Sequence, residues 1–270
     1  MKPLYAWLVQ PFSITMLVLI AVALFFFVFT RGALLWRQLT ASDAHPQSHI
    51  YPIYSDMWLI KLVDFQPIIS AILLFQYPRL VSQLVAHIRQ TDLRGKQVLI
   101  TSCAFGNVIP RVVKAAIQAG AREVLVTDLV RNELTNAQSK LLIYGDRVKY
   151  LQDNATALQL PDASVQVNVM FFLLHELPHP LKLQALREAS RVLAPGGDLL
   201  IAEFHRPCVL LLRALSWLYF TVFETYGLAL WGAYDPQLCL QKISSWQFKR
   251  QTCCFGNYQT LIATKTLTHS

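Results

Sequence analysis

Val98–Gly106, V-L-I-T-S-C-A-F-G, is the stretch from which the rest of the chain is read. A short apolar run enters a turn of small residues, and residues 107–117 behind it carry helical spacing. A buried strand passing through a glycine turn into a helix is the opening βα unit of a nucleotide-binding sheet. Its turn brings backbone N–H groups and a helix N-terminus up to an anionic or polar ligand. Here the turn is reduced: Gly106 is its one glycine, and no G-x-G-x-x-G is present.

The alternation continues outward from that unit. Pro110 falls near the start of the helix, where its missing N–H does no harm, and Gly120 ends it. Residues 123–127 (E-V-L-V-T) read as a second strand with Asp128 at its carboxyl end. A carboxylate about 20 residues past the turn is placed to accept hydrogen bonds from ribose hydroxyls; its alternative role is to cap a helix over 131–142. A third strand is expected over 148–151, followed by Asp153-Asn154-Ala155. Residues 165–174 are nearly continuous in apolar side chains, as a central parallel strand should be, and end in His175-Glu176-Leu177-Pro178. A helix over 182–193, a turn at Pro195-Gly196-Gly197 and a fifth strand over 199–203 follow. The fold class predicted is α/β: a Rossmann-like, parallel, doubly wound sheet, closed by an antiparallel hairpin over 248–265 turning at Gly256-Asn257. Ligands of such sheets lie beyond the carboxyl ends of the strands, which collects Cys103, Ala104, Phe105, Gly106, Asp128, Asp153, His175, Glu176 and His205 at one rim.

Upstream, no charge occurs between Lys2 and Arg31, and residues 12–30 are almost wholly apolar. About 20 residues of helix cross a bilayer, so one N-terminal transmembrane helix is expected, uncleaved because Arg31 follows at once. Arg31 and Arg37 outnumber Lys2, which places the body of the protein in the cytoplasm, anchored in a bacterial inner membrane. The domains expected are an anchor over 1–40, a linker and helical cap over 41–90, and a sheet domain over 91–270. Pro46 and Pro52 mark the linker, residues 41–54. Residues 58–88 read as two or three helices broken at Pro67 and Pro78. Their aromatic residues Trp58, Phe65, Phe75 and Tyr77 either cap a ligand or belong to the core. Within 205–247, residues 208–223 are apolar on nearly every face. Arg213 and Glu224 argue against spanning; an interfacial helix, a lid and an ordinary buried helix stay open.

Composition fits a membrane or lipid partner: 54% of the 270 residues are hydrophobic and only 15% charged. The net charge of +8 comes from scattered basic residues with no Lys/Arg run, so no nucleic-acid partner is expected. Five cysteines without a C-x-x-C pair fit reduced thiols better than disulfides or a zinc site. His175-Glu176-Leu177-Pro178-His179 spells H-E-x-x-H, but Pro178 and Pro180 prevent the helix that motif needs.

R-V-L-A-P-G-G before the fifth strand, with the terminal hairpin, resembles the class I S-adenosylmethionine-dependent methyltransferases. More sharply, C-A-F-G-N-V-I-P-R, F-F-L-L-H-E-L-P, A-E-F-H-R-P and F-G-N-Y-Q resemble the rhodoquinone-biosynthesis proteins of the RquA type, over residues 58–265. That resemblance implies conversion of ubiquinone to rhodoquinone, a ring methoxy giving way to an amino group. S-adenosylmethionine is implied as nitrogen source, and manganese (Mn2+) as helper. It puts Ile100 where ordinary members carry the acid that holds the cofactor's ammonium, and Ser102 and Ala104 where they carry glycines. Cofactor contacts implied are Ile100, Ser102, Cys103, Ala104, Phe105, Gly106, Asp128, Leu129, Asp153, Asn154 and Ala155. His175, Glu176 and His205 are implied as acid/base groups and metal ligands, and Arg206, Trp217 and Tyr258 as contacts to a ubiquinone-type lipid. A long isoprenoid tail would account for both the anchor and the apolar segment around Trp217. The alternatives are a true quinone or lipid methyltransferase and a membrane-anchored binding module without catalysis.

Overall fold

The computed structural model describes residues 5–29, 32, 54 and 56–266. It separates into two units, Met1–Asp56 and Met57–Ser270.

The first unit holds α1 (Tyr5–Phe29). Among the described residues no single helix is long and apolar enough to cross a membrane. Ser13–Phe25 and Leu210–Val222 are shorter apolar helices. The linker apart from Tyr54, and the charges Lys2, Arg31 and Arg37, lie outside the described residues.

The second unit opens with α2 (Met57–Asp64), α3 (Gln66–Ile72) and α4 (Tyr77–Gln90). Pro67 and Pro78 occupy the first turns of α3 and α4, where a proline lacks nothing the helix would use, so the breaks fall where the prolines predict. The sheet elements are β1 (Gln97–Thr101), α5 (Val108–Gln118), β2 (Glu123–Asp128), α6 (Arg131–Leu141), β3 (Val148–Gln152) and β4 (Val165–Phe171). After them come α7 (His179–Val192), β5 (Leu193–Phe204), α8 (Leu210–Val222), α9 (Pro236–Gln241), β6 (Trp246–Cys253) and β7 (Tyr258–Lys265).

Seven strands form one sheet in the order β3-β2-β1-β4-β5-β7-β6. β1 to β5 pair in parallel, and β7 runs antiparallel between β5 and β6. The order reverses between β1 and β4, and that switch point opens a crevice at the carboxyl ends of the strands. This is the Rossmann-like class I methyltransferase fold, with a mixed sheet.

Three local expectations are corrected. β4 stops at Phe171, three residues early, because Phe172 turns into the left-handed region (φ 54°) and leads the chain out of the sheet. Pro195-Gly196-Gly197 is a bulge inside a long β5 rather than a turn before it; the register with β4 shifts there. A Cβ at Gly197 would lie 2.8 Å from the Gln166 carbonyl oxygen, so only glycine fits. The terminal hairpin turns through four residues, 254–257, with Cys254, Phe255 and Gly256 all at positive φ.

Candidate active site

The β1–α5 turn keeps a glycine's geometry with few glycines. Ser102 has φ 74° and Gly106 φ 80°. A non-glycine residue in this region is strained by about 1–2 kcal/mol. The Asp128 carboxylate, at the end of β2, holds the strained turn in place. It accepts hydrogen bonds from the Cys103 amide (2.7 Å), the Ser102 hydroxyl (3.2 Å) and, through its other oxygen, the Val130 amide (2.7 Å). Burial pushes its pKa up, against the pull of these donors. Asp128 is therefore a clamp on the turn and on the chain leading into α6, which itself has no side-chain cap. Ile100 is 3% exposed in β1, and Ala104 and Phe105 complete the turn, half-buried.

Gly106 is the one position where the turn cannot take a side chain. A Cβ there would meet the Tyr77 hydroxyl oxygen at 2.5 Å. Tyr77 is buried and donates its hydroxyl to the Phe105 carbonyl (2.9 Å), while its oxygen accepts from the Val108 amide (2.7 Å). Of the four aromatic residues expected as cap or core, Tyr77 is thus core, whereas Trp58, Phe65 and Phe75 are exposed. Gly106→Ala should destabilise the unit by about 1–2 kcal/mol from its φ and about 1–3 kcal/mol from overpacking. Urea unfolding measures the loss. Tyr77→Phe in the same chain should recover part of the overpacking share.

Two groups that sequence reasoning missed approach this turn. Asp64, the last residue of α2, accepts from the Gly106 amide (2.8 Å) and pairs with Lys140 of α6 (2.7 Å). Lys140 also donates to the Gly106 carbonyl (3.1 Å). Glu133, in the first turn of α6, is 2% exposed, and its Oε1 is buried without a hydrogen-bond partner. Burial and the Asp128 charge push its carboxyl up to about 9, so it is protonated at neutral pH. Burial likewise pushes the Cys103 thiol far up, which makes it an inert wall. Glu133 was hidden in the sequence because a glutamate on a helix is ordinarily exposed.

Leu129, Asp153 and Asn154 line one open groove of about 820 Å³ with Tyr150, Gln152 and Gln159. Asp153 accepts from the Asn154 amide (2.8 Å) and the Gln159 amide (2.8 Å), which fixes the loop after β3. Asn154 accepts from the amide and the hydroxyl of Thr156, both at 2.9 Å, and Ala155 lies between them, half-buried. Leu129, Asp153 and Asn154 thus share one groove, and Ala155 is not part of its lining.

His175 sits in the turn after β4, and α7 starts at His179, so no helix joins the two histidines. The His175 Nδ1 lies 3.1 Å from Oε1 of Glu203, at the end of β5, and both side chains are buried. Burial alone would lower the imidazole, but Glu203, then Glu224 and Glu176, raise it to about 9. This corrects the expectation of an acid/base group near neutral pH: His175 is a cation there. Glu203 also accepts from the backbone amides of Leu174 (2.9 Å), His175 (3.2 Å) and Phe204 (2.8 Å). From below, the buried Lys182 ammonium donates to the carbonyls of Leu174 and Leu177. The turn carrying His175 and Glu176 is therefore pinned from two sides.

His205 follows β5 directly, and its Nδ1 meets the Gly256 carbonyl (2.8 Å). His205 and Arg206 line a pocket of about 670 Å³, and Arg206 and Trp217 line a neighbouring one of about 580 Å³. Tyr258 is in neither. It is 2% exposed and packs on Phe204 and Phe172 at 5.5 and 6.0 Å, so it is a core residue and not a surface contact. The expected manganese set is corrected too. His175 is turned to Glu203 and His205 to a carbonyl, and among the described residues no three His, Cys, Asp or Glu side chains are grouped to hold a metal.

A model of the ubiE/COQ5 methyltransferase family matches residues 64–245, from Asp64 at the cofactor turn through the pockets beside β5. The chain belongs to the ubiE/COQ5 methyltransferase family. Family membership brings S-adenosylmethionine as the cofactor, and two observations fit it: the groove beyond β2 and β3, and the orphaned carboxyl oxygen of Glu133 beside the turn. Among curated relatives, the ubiquinone/menaquinone biosynthesis C-methyltransferase UbiE of Hahella chejuensis is 40% identical over 115 residues, 42% of this chain and 45% of that protein. That of Pectobacterium carotovorum is 32% identical over 136 residues, 50% of each. This ubiE/COQ5 member spans about half the length of the curated relatives it matches. A solved S-adenosylmethionine-dependent methyltransferase from Aquifex aeolicus shares the fold, with a TM-score of 0.53 and 20% identity over 77% of this chain and 98% of its own. An O-methyltransferase family protein from Burkholderia thailandensis does so with a TM-score of 0.59 and 14% identity, over 81% and 63%.

Proposed function

We propose that this enzyme uses S-adenosylmethionine to convert ubiquinone to rhodoquinone, replacing a ring methoxy group with an amino group. The supporting observation is the electrostatics of the β1–α5 turn. Ile100 puts a buried hydrocarbon where ordinary members place an acid, and the nearby Glu133 carboxyl is neutral. A carboxylate of ordinary pKa would pin an ammonium in its protonated form and leave its nitrogen no lone pair. A carboxyl kept protonated up to about 9 adds no such counter-charge, and it can give its proton to a leaving oxygen. When bound, the cofactor supplies the transferred group. Asp128, Asp153 and Asn154 position its nucleoside part, and Asp64 with Lys140 orders the turn beside it. The His175–Glu203 pair holds the turn that carries Glu176 at the rim of the crevice. The N-terminal apolar helix anchors the chain in the inner membrane, with this unit on the cytoplasmic side, and the quinone arrives from the bilayer.

The names of the curated relatives favour a second reading, C-methylation of a quinone ring. Mass spectrometry of the quinone pool, with and without this chain expressed in a ubiquinone-making host, separates the two. Amination predicts a new aminoquinone at the expense of a methoxy group, and Ile100→Asp should suppress it. An added methyl selects the second reading, and an unchanged pool means the chain only binds.

A further inference from the structure

Helix α8 is built inside out for a water-soluble surface. Leu210, Leu211, Leu215, Trp217, Leu218 and Val222 are exposed, each by more than two-fifths. Two of its polar residues, Arg213 and Ser216, turn to protein partners instead. Arg213 donates to the Pro207 carbonyl (2.9 Å), and Ser216 donates to the Asn257 side chain (2.8 Å). Phe220, on the same inner side, is 1% exposed and packs edge-on to Phe204 at 4.9 Å. Phe255, at the tip of the β6–β7 hairpin, extends the apolar surface, held beside α8 by the Cys208 amide donating to its carbonyl (2.8 Å). A contiguous exposed apolar patch of this kind marks an interaction surface.

Beside the patch lies a pocket that wants an anion. His205, Arg206, Arg213 and Arg250 line it, with Asp235 as its one carboxylate. Asp235 is taken up by Arg250 (2.6 Å) and by the amides of Gln237 and Leu238. The pocket therefore carries an excess of positive charge. Two of its donors, Arg250 Nε and Trp231 Nε1, are buried without an acceptor. Buried donors of native proteins are almost always paired, so these two await an acceptor from outside. The neighbouring groove shares Arg206, Arg213 and Trp231 and continues into Leu210, Ala214, Trp217 and Leu228. Charge and grease thus adjoin, in the order of a phospholipid's phosphate and its acyl chains.

We propose that the pocket between α8, α9 and β6 binds the phosphate of an anionic phospholipid and seats α8 in the membrane interface. Arg206, Arg213 and Arg250 supply charge to the phosphate, and Trp231 a neutral donor. The exposed leucines of α8 enter the acyl layer. This docking is independent of which group the enzyme transfers.

The test is hydrogen–deuterium exchange on the full chain in nanodiscs of phosphatidylcholine, alone or with increasing phosphatidylglycerol. Any hold by the N-terminal helix is common to both, so the difference reports the pocket. Residues 210–222 and 254–257 should become protected as phosphatidylglycerol rises. Arg206→Gln, an exposed side chain, should shift the half-protecting lipid fraction upward roughly fivefold. Leu211→Glu should abolish the protection while leaving exchange in the sheet unchanged. Equal protection in both discs would overturn the proposal, as would an unshifted titration in Arg206→Gln. Protection reproduced by inorganic phosphate on phosphatidylcholine discs would reassign the pocket to a free anion and equally overturn it.

Discussion

Glu133→Gln should lower quinone amination about a hundredfold or more, the scale of a lost general acid, because a carboxamide has no acidic proton to give. Gln has nearly the shape of the protonated acid, and Glu133 is protonated in the folded chain at neutral pH, so the fold should survive the change. Removing an acid whose ionisation burial opposes should leave stability unchanged or slightly raised at pH 8, by the same linkage that makes the wild type lose stability there. Cofactor affinity, read by calorimetry, should change far less than turnover. A variant that aminates at the wild-type rate would remove Glu133 from the proton path. One that no longer binds the cofactor would make it a binding residue and nothing more.

The second large effect is structural. Glu203→Gln should destabilise the unit by about 3–5 kcal/mol, because it leaves the buried His175 without its counter-charge. One carboxylate here serves three backbone amides and an imidazolium, and a carboxamide has only one oxygen to offer. The midpoint of urea unfolding should fall with its slope unchanged. The pH dependence supplies a separate check. His175 is raised from 6.5 to about 9 in the folded chain, so the native state holds a proton there that the unfolded state has lost. Its contribution is full below about pH 6.5 and disappears as pH rises through about 9. Glu133, also raised to about 9, adds to the same downward slope. Wild-type stability should therefore fall across that window, and Glu203→Gln should flatten the share due to His175.

The inner strands β1, β2 and β4 and the core of β5 were legible because each is a short apolar run bounded by glycine, proline or a charge. A strand buried on both faces leaves its sequence little else to be. The helix breaks at Pro67 and Pro78 were legible for the same local reason, since a proline constrains its own neighbours. The residues at the carboxyl ends were found by topology. Asp128, Asp153, Asn154 and His175 could be assigned to the rim before any partner was known, but their tasks could not. Asp128 was read as a ribose ligand or a helix cap; α6 carries no side-chain cap, and Asp128 instead clamps a turn bent around Ser102. Tyr258 was read as a substrate contact, and it packs on Phe172, just past β4, and on Phe204 at the end of β5.

From its sequence alone this protein's alternation of strand and helix, its reduced glycine turn and its closing hairpin were determined, because backbone propensity and apolar period act over a few neighbouring residues. Only the tertiary structure decided which charges meet. Asp64 reaches Gly106 and Lys140 across 42 and 76 positions of chain, and Glu203 reaches His175 across 28. The protonation of Glu133 and of His175 follows from such encounters and from the water they exclude. A pKa is a property of surroundings assembled from distant segments, and no local stretch of sequence carries it.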